Sequence, residues 1–128
     1  MKLLIVEDNE LMRRLMRNIL DDLGAAIEEC SNGREAIAAF ERERPDWILM
    51  DIEMAEMDGL TASAEILASD PAARIVIVTQ HDSKQLREAA RKIGAIAFIA
   101  KENLLGAHAL IASAMKEGKT TNGAITFA

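Results

Sequence analysis

Four apolar runs of strand length in this 128-residue chain each lead into a polar residue. Residues 3–6 run into Glu7 and Asp8, 47–50 into Asp51, and 75–78 into Thr79, while 96–99 reach Lys101 after one alanine. If these runs are parallel strands of one sheet, their carboxyl ends share the edge at which open parallel sheets bind ligands. That edge collects three carboxylates, a hydroxyl and an ammonium. Clustered carboxylates repel, so either one keeps a proton through a raised pKa or a cation compensates them. An oxygen-only donor set suits a hard cation, Mg²⁺ first and Mn²⁺ second. Helix capping alone would explain Asp8 or Asn9, but not an edge that also gathers Thr79 and Lys101.

The segments between the runs have helical spacing, and a weaker fifth run covers 26–30. Leu11, Leu15, Ile19 and Leu23 recur one turn apart up to Gly24 and mark the apolar stripe of a first helix, with Arg13, Arg14 and Arg17 mostly off it as a basic face. Met12 and Met16 are read as core. A second helix is expected over 32–44, before Pro45, and a third over 60–69, before Pro71. The fourth begins at Asp82, with Gln85 three residues on as a capping box, and ends at Gly94. The fifth runs from a cap at Asn103 to 117, with Leu104, Ile111 and Met115 inward, His108 a packing or surface residue, and Leu110 facing away as a partner or dimer contact. Five strand-then-helix units imply an α/β fold in which a five-stranded parallel sheet carries helices on both faces. One domain is expected over 1–117, with 118–128 a tail or the start of a linker.

Composition narrows the function classes. Twenty-one acidic against 15 basic residues give a net charge of −6, which disfavours direct nucleic-acid binding through phosphate neutralisation. Cys30 is the single cysteine, so an intramolecular disulfide or a cysteine-rich metal site is ruled out. No apolar run approaches the roughly 20 residues of a membrane helix. A cytoplasmic domain without a membrane partner is the expectation.

The runs with their polar ends, "LIVEDNE", "MDIEMAEMDG", "IVIVTQ" and "AFIAKE", resemble in order and spacing the response-regulator receiver domain of two-component signalling, the CheY-like superfamily, over about residues 2 to 117. The "KEN" at 101–103 is similar to the receivers of helix-turn-helix regulators of the NarL/LuxR type. The resemblance implies a doubly wound, flavodoxin-like (βα)5 fold with strand order 2-1-3-4-5. It implies Asp51 as phospho-acceptor and Asp8, Asp51 and the backbone carbonyl of Glu53 as Mg²⁺ ligands, with Glu7 acting partly through water. Thr79 and Lys101 would hold phosphoryl oxygens, Phe98 would fill the space that Thr79 vacates, and Glu53 and His81 would flank the attacking water and tune its rate. The implied partners are a sensor histidine kinase or histidine phosphotransfer protein, docked near the first helix. An output partner or a second copy would bind through the fourth helix, fifth strand and fifth helix, or the fifth helix alone. Catalysis would extend at most to self-phosphorylation from a phosphodonor and slow self-dephosphorylation. Ala55 and Glu102 stand where such receivers often have proline, so a looser loop after Asp51 and a trans Lys101–Glu102 bond are expected. The alternative is a degenerate receiver, a phosphorylation-independent binding module, which the complete set of five site residues argues against. A flavin carrier would want a Ser/Thr/Gly-rich first loop, and a related phosphatase two aspartates one residue apart.

Overall fold

A computed structural model describes residues 1–54 and 56–117; Ala55, the position at which a looser loop is expected, and the segment 118–128, expected as a tail or linker, lie outside the described residues. The chain runs β1 (Lys2–Val6), α1 (Glu10–Leu20), β2 (Ala26–Cys30), α2 (Gly33–Glu43), β3 (Trp47–Met50), α3 (Gly59–Ser69), β4 (Ile75–Thr79), α4 (Lys84–Ile93), β5 (Ala97–Ala100) and α5 (Leu104–Glu117). Short 3₁₀ turns follow α1 (Asp21–Leu23) and precede α5 (Lys101–Asn103). All strands pair in parallel, in the order β2-β1-β3-β4-β5. This is the doubly wound order that the resemblance implied.

The period-2 alternation of the strands divides the interior into two cores. Leu4, Val6, Ile48, Met50 and Ile77 face α2, α3 and α4, where Phe40 and Ile66 meet them. Leu3, Ile5, Trp47, Leu49 and Val78 face α1 and α5, against Met16, Leu20 and Ile111. Burial on both sides explains why β1, β3 and β4 read as unbroken apolar runs.

Three helix expectations are corrected. In α1 the inward residues are Met12, Met16 and Leu20, with Ile19 and Leu23 of the expected stripe packed against the same core, whereas Leu11 is 77% exposed and Leu15 46%. Two apolar series one residue apart compete for the core, and the arginines decide between them: Arg13 and Arg17 both reach Glu29 on β2, at 3.0 and 2.6 Å. With Leu11 inward, Arg13 would lie about 160° and Arg17 about 120° away from the sheet, at 100° per residue. In α4 the cap is Ser83, whose hydroxyl accepts the Leu86 N–H at 3.1 Å, while Asp82 pairs with Arg87 instead. In α5 the buried series is Leu104, Ala107, Ile111 and Ala114. The two alanines let the helix approach closely and swing its inward face by about 40°, so Leu110 is half-buried while Met115 and Leu105 are exposed. The Lys101–Glu102 bond is trans as expected, since the described residues contain no cis peptide bond.

Candidate functional site

The carboxyl edge of the sheet is assembled by strand ends. Beyond Val6 the ladder continues one step, the Glu7 N–H donating to the Cys30 carbonyl at 3.0 Å, and beyond Met50 the Asp51 N–H donates to the Val6 carbonyl at 3.0 Å. Glu7 and Asp51 thereby stand on adjacent strands, both buried. Asp8 follows on the exposed loop, and Asn9 caps α1 by accepting the Met12 N–H at 2.9 Å. Lys101 arrives from the other side, in the turn after β5, with Nζ 2.7 Å from Glu7 Oε1 and 3.2 Å from Asp51 Oδ1. Glu7 Oε2 accepts the Asn9 N–H at 3.0 Å, so this buried acid is held at both oxygens.

Behind Asp51 the backbone is packed close. A Cβ at Gly59 would lie 1.8 Å from the Asp51 carbonyl oxygen, so only glycine lets α3 begin there. Asp58, just before it, caps α3 by accepting the Thr61 N–H at 2.9 Å, and Glu56 holds a left-handed backbone with φ 71°. Asp58 is therefore a capping residue of the loop that follows β3.

The electrostatics follow from burial. Desolvation, and then the charge of Glu7, push Asp51 from 3.8 up to about 6, against the opposing pull of Lys101. Burial alone would lower Lys101, but its contacts with Glu7 and Asp51 outweigh this and hold the ammonium above the usual lysine range. Oxygen atoms of Glu7, Asp8 and Asp51 all lie within 4.8 Å of one another. Three carboxylates around one ammonium, two of them buried, leave negative charge that a hard divalent cation matches in donor type and sign.

The edge opens into a cavity of about 410 Å³. Its polar wall includes Glu7, Asp8, Asp51, Glu53, Gln80 and Lys101, and its apolar rim is Leu11, Met12 and Leu15. Thr79 is fully buried at the end of β4, and its hydroxyl accepts the His81 N–H at 3.1 Å; the neighbouring Gln80 reaches the cavity wall. His81 Nδ1 contacts Glu53 Oε1, an exposed pair joining the two loops that follow β3 and β4. Phe98 is interior, in register with Ile77 and beneath the Arg87 guanidinium. His108 lies apart from the site and holds Asp22 at 2.7 Å. Sequence reading missed Gln80, Leu11 and Leu15 as lining residues. Gln80 depends on the path of the chain leaving β4, and the leucines depend on the rotation of α1.

A family model described as "Response regulator receiver domain" matches residues 3–113. The chain belongs to this receiver family. The chemotaxis protein CheY of Listeria monocytogenes is 39% identical over 102 residues, 79% of this chain and 86% of that protein. Among solved structures, a LuxR-family two-component response regulator from Aurantimonas superposes with a TM-score of 0.83 at 26% identity, covering 92% of this chain and 86% of the other. A CheX–CheY complex with BeF₃ and Mg from Borrelia burgdorferi gives 0.77 at 26% identity, covering 82% and 84%. The domain is thus a receiver of two-component systems, whose members are switched by phosphorylation, take a phosphoryl group from histidine kinases or other donors, and act on output partners. Receivers bind Mg²⁺ at an acidic pocket, and this chain carries an acidic cluster of Glu7, Asp8 and Asp51 at the sheet edge. Among the described residues, no helix of this receiver is long and apolar enough to cross a membrane.

Proposed function

We propose that Asp51 is the phospho-acceptor of this receiver and that Glu7, Asp8, Asp51 and the Glu53 carbonyl hold Mg²⁺. The observation that carries the reading is Asp51 itself, a buried carboxylate at a cavity edge, 3.2 Å from the Lys101 ammonium and beside two more acids. An Asp51 carboxylate oxygen attacks phosphorus as the bond to the donor's imidazole nitrogen breaks, giving an acyl phosphate. Lys101 is placed to pair with a phosphoryl oxygen, and the Thr79 hydroxyl donates to another once it turns toward the site. Bound Mg²⁺ would supply charge neutralisation at the transferring group. The raised pKa of Asp51, set first by burial and then by the charge of Glu7 against the pull of Lys101, is a cost of ionisation that a bound cation would offset.

Glu53 and His81 adjoin the site and tune discharge by water, and Phe98 carries the switch toward α4, β5 and α5, the output or dimer face. The phosphodonor, a histidine kinase or phosphotransfer protein, docks on α1. There the exposed Leu11 and Leu15 at the cavity rim provide the contact, since Arg13 and Arg17 are already paired with Glu29. The receiver unit spans 1–117 and works in the cytoplasm, where such donors present their phosphohistidine. Incubation with Mg²⁺ and acetyl phosphate is expected to add one phosphoryl group, acid-stable and base-labile, seen by intact mass. No adduct on the wild type, or one that persists in Asp51→Asn, overturns the assignment.

A further inference from the structure

We propose that Arg87 is a positioning residue of the switch, tying the Phe98 ring to the loop that leaves Thr79; this rests on the phosphorylation reading above. Every link is a contact between neighbours. The Thr79 hydroxyl accepts the His81 N–H at 3.1 Å, and the next residue, Asp82, accepts a hydrogen bond from Arg87 Nη2 at 2.7 Å. The same guanidinium lies over the Phe98 ring, its central carbon 5.4 Å from the centroid. The Phe98 backbone is pinned in the sheet opposite Ile77. Its ring, only 5% exposed, is covered by a side chain whose own partner sits on the switch loop.

The sequence could have spent Asp82 on capping α4. Ser83 takes that task, which leaves the Asp82 carboxylate to Arg87. The Arg87 backbone is held by α4, its N–H donating to the Ser83 carbonyl at 3.0 Å, so the side chain bridges a firm helix and a loop. A planar guanidinium can stack on a ring while donating in its own plane to a carboxylate, which an ammonium cannot do. Asp82, Arg87 and Phe98, with Asn103, Gly106 and Leu110, also border a groove of about 370 Å³ between α4 and α5. When Thr79 turns toward a phosphoryl group the loop moves with it, Asp82 draws away, and Arg87 uncovers the ring and reshapes the groove. Solvent-exposed contacts of this kind each shift a two-state equilibrium by about two- to fivefold. The clamp therefore grades the switch rather than locking it.

The test replaces the chain's three phenylalanines with 4-fluorophenylalanine and follows the Phe98 fluorine signal by NMR, before and after Mg²⁺ with beryllofluoride. In the wild type the signal moves on addition. In Asp82→Asn and in Arg87→Lys the moved population is expected to rise about two- to fivefold without beryllofluoride, and the double variant to go no further than the larger single one. Unchanged signals in both variants, or additive effects, overturn the clamp. A wild type that forms no acetyl-phosphate adduct and shows no beryllofluoride response removes the phosphorylation reading and the clamp together. A wild type that forms the adduct while Phe98 behaves identically in all variants removes the clamp alone. Unfolding midpoints measured alongside separate a change in the ring from a general loss of stability.

Discussion

Asp51 is costly to keep ionised, and the cost has a sign that can be measured. Its folded-state value near 6 exceeds the ordinary 3.8, so between those pH values the folded protein holds a proton that the unfolded chain has lost. The stability this group contributes is complete below about pH 4 and is lost as pH rises through about 6. Asp51→Asn, which never ionises, should therefore be more stable than the wild type at pH 7.5 without divalent cation, by on the order of 2 kcal/mol. Urea unfolding at pH 7.5 and 4.5 checks this: a gap that does not narrow at low pH contradicts it. Lys101→Met should act oppositely, because it leaves Glu7 and Asp51 facing each other without their ammonium. A loss of about 3 kcal/mol at pH 7.5 is expected, shrinking toward pH 4.5. The polar residues at the ends of the apolar runs were legible because a carboxylate after four large apolar side chains has no packing explanation. Gln80 was not, because only the path of the chain leaving β4 turns it to the cavity rather than Thr79.

Helices α3 and α4 set the geometry of the loops that follow β3 and β4, and their first residues are where that control can be broken. Gly59→Ala would put a methyl group 1.8 Å from the Asp51 carbonyl oxygen, against backbone that cannot swing aside. A destabilisation of at least about 2 kcal/mol is expected, with slower adduct formation from acetyl phosphate as Asp51 shifts. Unchanged stability would show that α3 can start elsewhere. At α4, Ser83→Ala should cost about 1 kcal/mol through loss of the cap. Asp82→Ala should cost less than half of that by chemical denaturation, the reverse of what the capping-box pattern suggested. Both Asp82 and Ser83 are good caps by type, and the sequence offers Gln85 to support the first. Asp82 turns to Arg87 because the guanidinium is held above Phe98, a strand residue that no local pattern connects to α4.

Across the domain, the sheet joins two cores to one acidic edge, so binding at the edge should stabilise the entire fold. Mg²⁺ that binds only the folded state adds about 2.7 kcal/mol at a hundred times its dissociation constant. Trp47, buried on β3 as the chain's single tryptophan, reports the unfolding transition by fluorescence. Added Mg²⁺ is expected to raise the midpoint of the wild type and to leave Asp8→Asn nearly unmoved; an equal rise in both would place the cation elsewhere. Fold class, the helix spans and the gathering of polar residues at one edge were readable along the chain, because burial on both faces of a parallel sheet writes unbroken apolar runs that end in polar residues where the strands leave the core. The rotation of α1 and α5, the cap of α4, and the cover that Arg87 lays over Phe98 were not. Each depends on a partner distant in sequence: Glu29 for Arg13 and Arg17, the approach of Ala107 and Ala114 to the sheet, Phe98 for Arg87. Local periodicity leaves two helix faces 100° apart nearly equivalent, and only the tertiary contacts choose between them.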